Sequence, residues 1–466
     1  MSVAAGLAAA IGPASVIAGE AAAARPYLAD ATESRALRGR ADAIALPDSP
    51  DQVAAVMAWC YAHDVPLVPR GGGTGFAGGA VPIDGGVVVA LERLAGPPQI
   101  EPGQWRARVQ SGVRTADLRE RCRRQGLYYA PDPGSAESSM IGGNIATNAG
   151  GPHTFKYGVT RNWVTGLEVV LAPGEVVRLG GAARKDVAGY DLTSLLVGSE
   201  GTLGIITAAW LRLLPAPAAS LPVVGLYPDA AAGCAAIAAV FASGVVPAAL
   251  EFLDEGALAA SLPALVQNVD GLTADSASRT RFMLMTEADG SPEEAAASRR
   301  ELSEALAVGA TAVHAPTSPR EVAHLWRWRD GVSLGVTARR GGKLSEDIVV
   351  PVERLEEAIA ATVEIGSRHD LEACSWGHAG DGNIHATFMI DRDDPVEIAR
   401  AEEAAAELFE LAARLGGSIS GEHGIGVVKR GALALQWPAA AIDLHEQIKR
   451  VFDPKGLLNP GKKLAR

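Results

Sequence analysis

Cysteine is scarce in this chain: Cys60, Cys122, Cys234 and Cys374 are the only four in 466 residues, and no two form a CxxC pair. That excludes a cysteine-held iron–sulfur cluster or zinc site, and a reducing, cytoplasmic compartment fits best. Positive charge is short as well. Lys and Arg number 42 against 54 Asp and Glu, a net charge of −12 with a pI near 5.3. A protein that tracks phosphate backbones has the opposite balance, so nucleic acid is not an expected partner. Membrane-type apolar runs are missing too. Residues 1–19 carry no charge, but they are mostly Ala, Gly and Ser, contain Pro13 and lack the basic start of a signal peptide. They read as an alanine-rich helix and loop. The other uncharged run, 230–250, is interrupted by Gly233, Gly244 and Pro247 and flanked by Asp229 and Glu251, which fits a capped helix from Asp229 to Ser243 followed by a strand. No transmembrane segment is expected. An HExxH zinc-hydrolase helix and an internal repeat are also absent.

What the chain has in quantity is glycine, 53 residues of it, concentrated in an α+β stretch from about Ala43 to Leu214. Ser49 caps a helix with Pro50 at its first position and Gln52 closing a capping box, ending near His63. Strands are expected at Val65–Val68 and Val87–Leu91, and a helix from Thr115, as its cap, to Gly126. A strand pair, Leu167–Leu171 and Val176–Leu179, surrounds the turn Ala172-Pro173-Gly174. Beyond the Ala- and Pro-rich join Leu214–Pro222 the composition shifts to longer amphipathic helices alternating with strands, as in Ala401–Leu415 with Gly416 as its stop. The expected domains are 1–217, 218–450 and a closing segment 451–466.

Three glycine-rich segments carry the functional signal. In the first, Gly73, Gly75 and Gly78 satisfy GxGxxG after a strand, yet Pro82, Gly85 and Gly86 leave no room for the helix a Rossmann site requires. A run of backbone N–H groups free of Cβ atoms can still wrap a pyrophosphate as a nest. Alone, such a stretch reads equally well as a plain turn. The second segment runs from Pro131-Asp132-Pro133-Gly134-Ser135 into Ile141–Gly151, where small residues and carboxamides can approach a planar ring; the third is Gly198–Thr207.

Together these segments resemble the FAD-binding domain of the vanillyl-alcohol oxidase and p-cresol methylhydroxylase type. From about Pro26 to the end the chain resembles the group of D-lactate dehydrogenase, the glycolate oxidase FAD subunit and D-2-hydroxyglutarate dehydrogenase. The resemblance implies an FAD domain of two α+β subdomains and a C-terminal substrate domain with an antiparallel sheet flanked by helices. It assigns the pyrophosphate to Pro69, Arg70, Gly71, Gly72, Gly73, Thr74, Gly75, Gly78 and Gly79. It assigns the flavin and ribityl region to Pro131, Asp132, Gly134, Ser135, Gly142, Gly143, Asn144, Thr147, Asn148 and Gly150, and the adenine half to Gly201, Gly204 and Ile206. Relatives that bind FAD covalently often carry His where this chain has Thr74, so non-covalent FAD is expected; His153 reads as a phosphate or surface contact.

In the C-terminal half, Trp376-Gly377-His378-Ala379-Gly380-Asp381-Gly382-Asn383-Ile384-His385 sets two imidazoles around a tight turn, and Ser420-Gly421-Glu422-His423-Gly424 adds a carboxylate and a further imidazole. Two His and one Glu suit Zn²⁺ or a similar divalent ion. Structural, hydrogen-bonded histidines are the competing reading. The resemblance favours a metal, zinc or manganese, on His378, His385 and Glu422, with His423 as general base. It also places a carboxylate-binding arginine at Arg329, with Arg327 the weaker candidate. Hydroxyglutarate-type relatives carry Lys where this chain has Ser345, with Lys343 two residues earlier, and His-Leu-Asn where it has His385-Ala386-Thr387. Both departures weaken a claim to 2-hydroxyglutarate, and a small D-2-hydroxy acid, D-lactate or glycolate, is the leading substrate that the resemblance implies.

The resemblance leaves the electron acceptor open among a quinone, an electron-transfer flavoprotein and a partner subunit. It admits a homodimer, and attachment to the inner membrane face through a partner. The alternatives are the FAD subunit of a multi-subunit oxidase, or another alcohol or alkyl transfer on the same fold. A zinc hydrolase would leave all three glycine-rich segments unexplained.

Overall fold

A computed structural model of the chain describes residues 2–35, 37–266 and 278–464. The first sheet contains β1 (Val16–Ala18), β2 (Ala43–Ala45), β3 (Leu67–Arg70) and β4 (Val87–Ala90) in the order β1-β2-β4-β3. β4 is parallel to both its neighbours. Its run of four buried residues fits a strand covered on both faces. Helix Pro50–Ala62 packs Val53, Val56, Met57 and Cys60 into the core beside this sheet. Ser49 caps it as expected, but the Gln52 side chain accepts from the amide of Asp48 rather than Ser49, so the capping box is displaced by one residue. β3 starts two residues later than expected because the amide of Val65 is still held by Cys60 in the helix exit.

The second sheet contains β5 (Gln99–Glu101), β6 (Arg106–Gln110), β8 (Val164–Leu171), β9 (Glu175–Gly180) and β10 (Ile205–Arg212) in the order β5-β6-β10-β8-β9. Every pairing is antiparallel. β7 (Leu127–Tyr128) pairs separately with β11 (Leu214–Pro215). Thr115 begins helix Thr115–Arg123 as its first residue, not its cap: its hydroxyl is engaged by Ser139 and Asn144, and Arg114 holds the cap position.

The third sheet is antiparallel throughout, with β12 (Ala219–Tyr227), β13 (Ala249–Leu253), β14 (Phe282–Gly290), β15 (Ala312–His314), β16 (Gly342–Val349), β17 (Glu372–His378) and β18 (Asn383–Ile390) in the order β15-β12-β14-β13-β17-β18-β16. Helix Ala230–Ser243 has the expected Asp229 cap and ends at Gly244. Helices Glu255–Val266 and Pro319–Arg340 cover one face of the sheet, burying Leu258, Leu325, Val332 and Val336 against Met283, Met285 and Trp376. Ser318 and Glu321 form a capping box that starts the second of these helices.

The chain divides into two compact units: Met1–Gly150 with Val159–Ala216 and Glu422–Arg466, and Gly151–Gly158 with Pro217–Gly421. The second unit begins where the composition shifts. The return to the first falls at Glu422 rather than 451, because the amides of Ile425 and Gly426 are bound by Glu200 and that of Val427 by Ala77. Among the described residues no helix is long and apolar enough to cross a membrane.

Candidate active site

In the first unit no helix opens between β3 and β4; residues 71–86 run as turns, as the Pro and Gly content requires. The glycines there serve two purposes. A Cβ on Gly72 would collide with the Ser138 carbonyl, so this residue lets two backbone segments approach. Gly75, Gly79 and Gly134 instead have open space where a side chain would stand. Arg70 does not point outward: its guanidinium donates to the carbonyls of Ala29 (2.8 Å) and Pro26 (3.0 Å), fastening the N-terminal segment along the loop. A cleft of about 450 Å³ between that segment and the loop is lined by Arg25, Asp30, Arg38, Arg70, Thr74 and Ser135, among others. Arg25 and Arg38 carried no motif and were not foreseen. Open backbone faces beside three guanidinium groups suit a diphosphate, so these residues fit FAD.

Ile141–Thr147 is a short helix, and its polar side chains turn inward. Asn144 donates to Thr115 Oγ1 (2.7 Å) and is buried, Thr147 donates to the Gly143 carbonyl, and Asn148 Oδ1 accepts from the Arg161 amide. Gly142 packs its backbone against Ser111, and Gly143 lies beside Gly71 of the first loop. Asp132 lies 3.8 Å from Arg119. Gly201 packs on Pro69, Gly204 on Val169, and Ile206 is buried in β10, so this part of the third segment braces the loop.

The closing segment ties to the same elements. Lys462 is 3 % exposed and donates to the carbonyls of Gly79 (3.0 Å) and Val81 (2.6 Å) and to Asn459 Oδ1. Burial pulls its amine down to about 7. His423 lies with its ring 4.6 Å from that of Phe76, in the first glycine loop.

In the second unit, β17 and β18 form the hairpin that the two-histidine turn called for. Trp376 stands opposite His385 and His378 opposite Asn383, so both imidazoles share one face, their ring centroids 5.4 Å apart. The register extends that row outward: Glu251 of β13 pairs with His378, and Asp347 of β16 with His385. Glu251 is fully buried. Its Oε1 lies 2.6 Å from His378 Nδ1, and its Oε2 accepts from Arg329 Nε (2.9 Å) and Nη2 (2.5 Å). Burial alone would raise this carboxyl, but the charges of His378 and Arg329 and their hydrogen bonds outweigh it and hold the group at about 2. Arg329, expected to meet a substrate carboxylate, is thus largely engaged by an internal one. Asp347 accepts from the Gly421 amide (2.7 Å) and Ser420 Oγ (3.2 Å). Glu422 follows Gly421 by one peptide bond, and His423 follows it.

His153 is half-buried in the second unit. It lies 3.2 Å from Glu287, whose other oxygen accepts from Trp326 Nε1 (2.8 Å), while Lys156 and Tyr157 both bind Asp289. Phe155 packs against Gly380, in the turn between the two histidines. These contacts explain why residues 151–158 belong to the second unit.

Comparison with known proteins identifies the chain as an FAD-linked oxidoreductase. The chain belongs to the FAD-linked oxidases: the family described as FAD linked oxidases, C-terminal domain, matches residues 216–463, and the FAD binding domain family matches 41–180. The chain is 39% identical over 427 residues to a glycolate oxidase subunit GlcD of Bacillus subtilis (strain 168), covering 91% of this chain and 89% of that one. It is 34% identical over 427 residues to a D-lactate dehydrogenase of Anaerostipes hadrus, covering 91% and 90%. The solved structure of p-cresol methylhydroxylase with substrate bound matches with a TM-score of 0.81 over 99% of this chain and 96% of that one; at 18% identity it shows the fold.

Proposed function

We propose that this flavoprotein oxidises a small D-2-hydroxy acid, D-lactate or glycolate, to the 2-oxo acid. The observation that carries the proposal is the buried row Arg329–Glu251–His378 beside His385. A carboxylate bonded to Nδ1 of an imidazole fixes its tautomer and directs Nε2 as a ligand, the support that metal-binding histidines generally receive. FAD held by the glycine-rich segments of the first unit would supply the acceptor for the Cα hydride, and a divalent ion, zinc or manganese, held by His378, His385 and Glu422 would supply the Lewis acid that favours ionisation of the hydroxyl.

The remaining roles fall to the chain. His423 takes the hydroxyl proton on an imidazole nitrogen. Arg329 supplies the positive charge of this face, with Nη1 as the edge that Glu251 does not engage. Lys343 supports a short substrate. Two residues from Ser345 on one strand, it lies on the same face, but its amine donates to the Ser333 carbonyl (3.1 Å) and hydroxyl and sits over the Trp376 ring, 5.0 Å from its centroid. It is engaged by the covering helix instead of being held out for a second substrate carboxylate. Electrons leave the flavin to a quinone, an electron-transfer flavoprotein or a partner subunit, and the word subunit in the name of the Bacillus subtilis relative supports the last.

The test is anaerobic flavin reduction with D- and L-2-hydroxy acids, with and without chelator. Reduction by D-lactate or glycolate that chelator abolishes and added Zn²⁺ or Mn²⁺ restores is the expected result. A flavin that neither acid reduces would refute the substrate, and reduction indifferent to chelator would refute the metal.

A further inference from the structure

We infer that Glu200 is a positioning residue for His423, an assignment that rests on reading His423 as the base. Glu200 lies in the third glycine-rich segment and has φ +54°, in the left-handed region that non-glycine residues adopt at a cost of about 1 kcal/mol. Its carboxylate is buried, and both oxygens are directed at the chain just beyond His423. Oε1 accepts from the Ile425 amide (2.9 Å) and Oε2 from the Gly426 amide (2.7 Å), with Lys463 Nζ 3.1 Å from Oε1.

The loop is fitted to this carboxylate. Gly424 has φ +83°, and a Cβ there would lie 2.9 Å from Glu200 Oε1. On its other side the Val427 amide donates to the Ala77 carbonyl (2.8 Å), beside Phe76, on which the His423 ring rests. Residues 424–427 are thus gripped between the first glycine-rich loop and Glu200.

The strain at Glu200 is held in place by a second strained residue. Asn459 has φ +46°, and its side-chain amide donates to the Glu200 carbonyl (2.7 Å) and the Gly79 carbonyl (2.9 Å). Strained non-glycine backbone persists where the surroundings over-determine it, and it concentrates at functional sites. Here the strained turn aims a carboxylate at the two amides that follow the base by two and three residues. Its effect is on where the His423 ring stands, not on what the ring is.

The experiment uses the FAD-loaded full chain and stopped-flow flavin reduction by the best 2-hydroxy acid. Glu200→Gln places an amide donor where one of the two backbone amides needs an acceptor. It should slow reduction about 10- to 100-fold, the loss expected for misplacing a reacting group by about 1 Å. Substrate half-saturation and FAD content should stay within about twofold of wild type. Should Glu200→Gln fail to load FAD, Glu200→Asp, which keeps the charge but shortens the reach by one methylene, is read in its place. Reduction at the wild-type rate per bound FAD, in whichever variant is read, would overturn the assignment. His423→Gln is the control. If it reduces as fast as wild type, the base reading fails and takes this inference with it; if it is inactive while Glu200→Gln is fast, the inference alone fails.

Discussion

Replacing Glu251 with alanine tests the energetics of the histidine face. The carboxylate is fully buried and bonded on one oxygen to His378 and on the other to Arg329, itself 7 % exposed. Glu251→Ala leaves a guanidinium in the interior without a counter-charge, and breaking a buried pair from one side costs about 3–5 kcal/mol. For a domain the size of the second unit, about 2–4 °C of unfolding midpoint follows each kcal/mol, giving a fall of roughly 6–20 °C. Calorimetry of metal-free protein, so that ligand binding adds nothing to the transition, is the assay. The double variant Glu251→Ala, Arg329→Met removes the stranded charge as well and should recover most of the loss, since replacing both members of a buried pair is often close to neutral. The pH dependence has a definite sign. The folded carboxyl titrates near 2, below the ordinary 4.5, so its contribution is complete above about 4.5 and is lost as pH falls from there toward 2. A single variant that melts within about 2 °C of wild type, or a double variant no more stable than the single, would refute the reasoning.

The Lys462 amine titrates near 7 when folded and near 10.5 when unfolded, so between those values the unfolded chain binds more protons and stability should rise with pH. Lys462→Met should flatten that slope in thermal midpoints taken from pH 7 to 10. Gly380→Ala sets a Cβ 2.5 Å from Phe155 Cγ and should destabilise the second unit by about 1–3 kcal/mol, with Phe155→Leu recovering part of it by calorimetry. Removing the two cleft arginines together, Arg25→Gln with Arg38→Gln, should weaken FAD binding about tenfold or more, more so at low salt, by fluorescence titration.

Much of the fold was legible where local chemistry decides it. Ser49-Pro50, Asp229 and Gly244 mark helix ends because caps and left-handed stops act within a few residues. The absence of a helix after Gly79 followed from Pro82 and two glycines. Errors arose where a distant partner competed. Thr115 has a good capping side chain, but Ser139 and Asn144 take its hydroxyl. The carboxamide nitrogen of Asn144 donates to that same threonine, a pairing between residues 29 apart that no window along the chain contains.

The site divides in the same way. His378 and His385 were legible because a tight turn brings residues close in sequence close in space, and alternation along the two strands then puts both rings on one face. Glu251 was not, although it left a trace: it is the one charged residue in the strand Ala249–Leu253, and a carboxylate inside a buried strand demands a partner. Sequence could announce that debt without naming who settles it, because the partners come from β17 and from a helix that begins at Pro319. Strand order decides the matter. β13 lies beside β17 although the strands β14, β15 and β16 and the helices among them separate the two along the chain. Only that crossover sets Glu251 opposite His378, and only the helix laid over it brings Arg329 to the same carboxylate. Arg329 was placed in a substrate role because position along the chain was the sole evidence for it. Its geometry ties it first to Glu251, so an Arg329 variant must be read through the orientation of His378 before any loss is attributed to substrate.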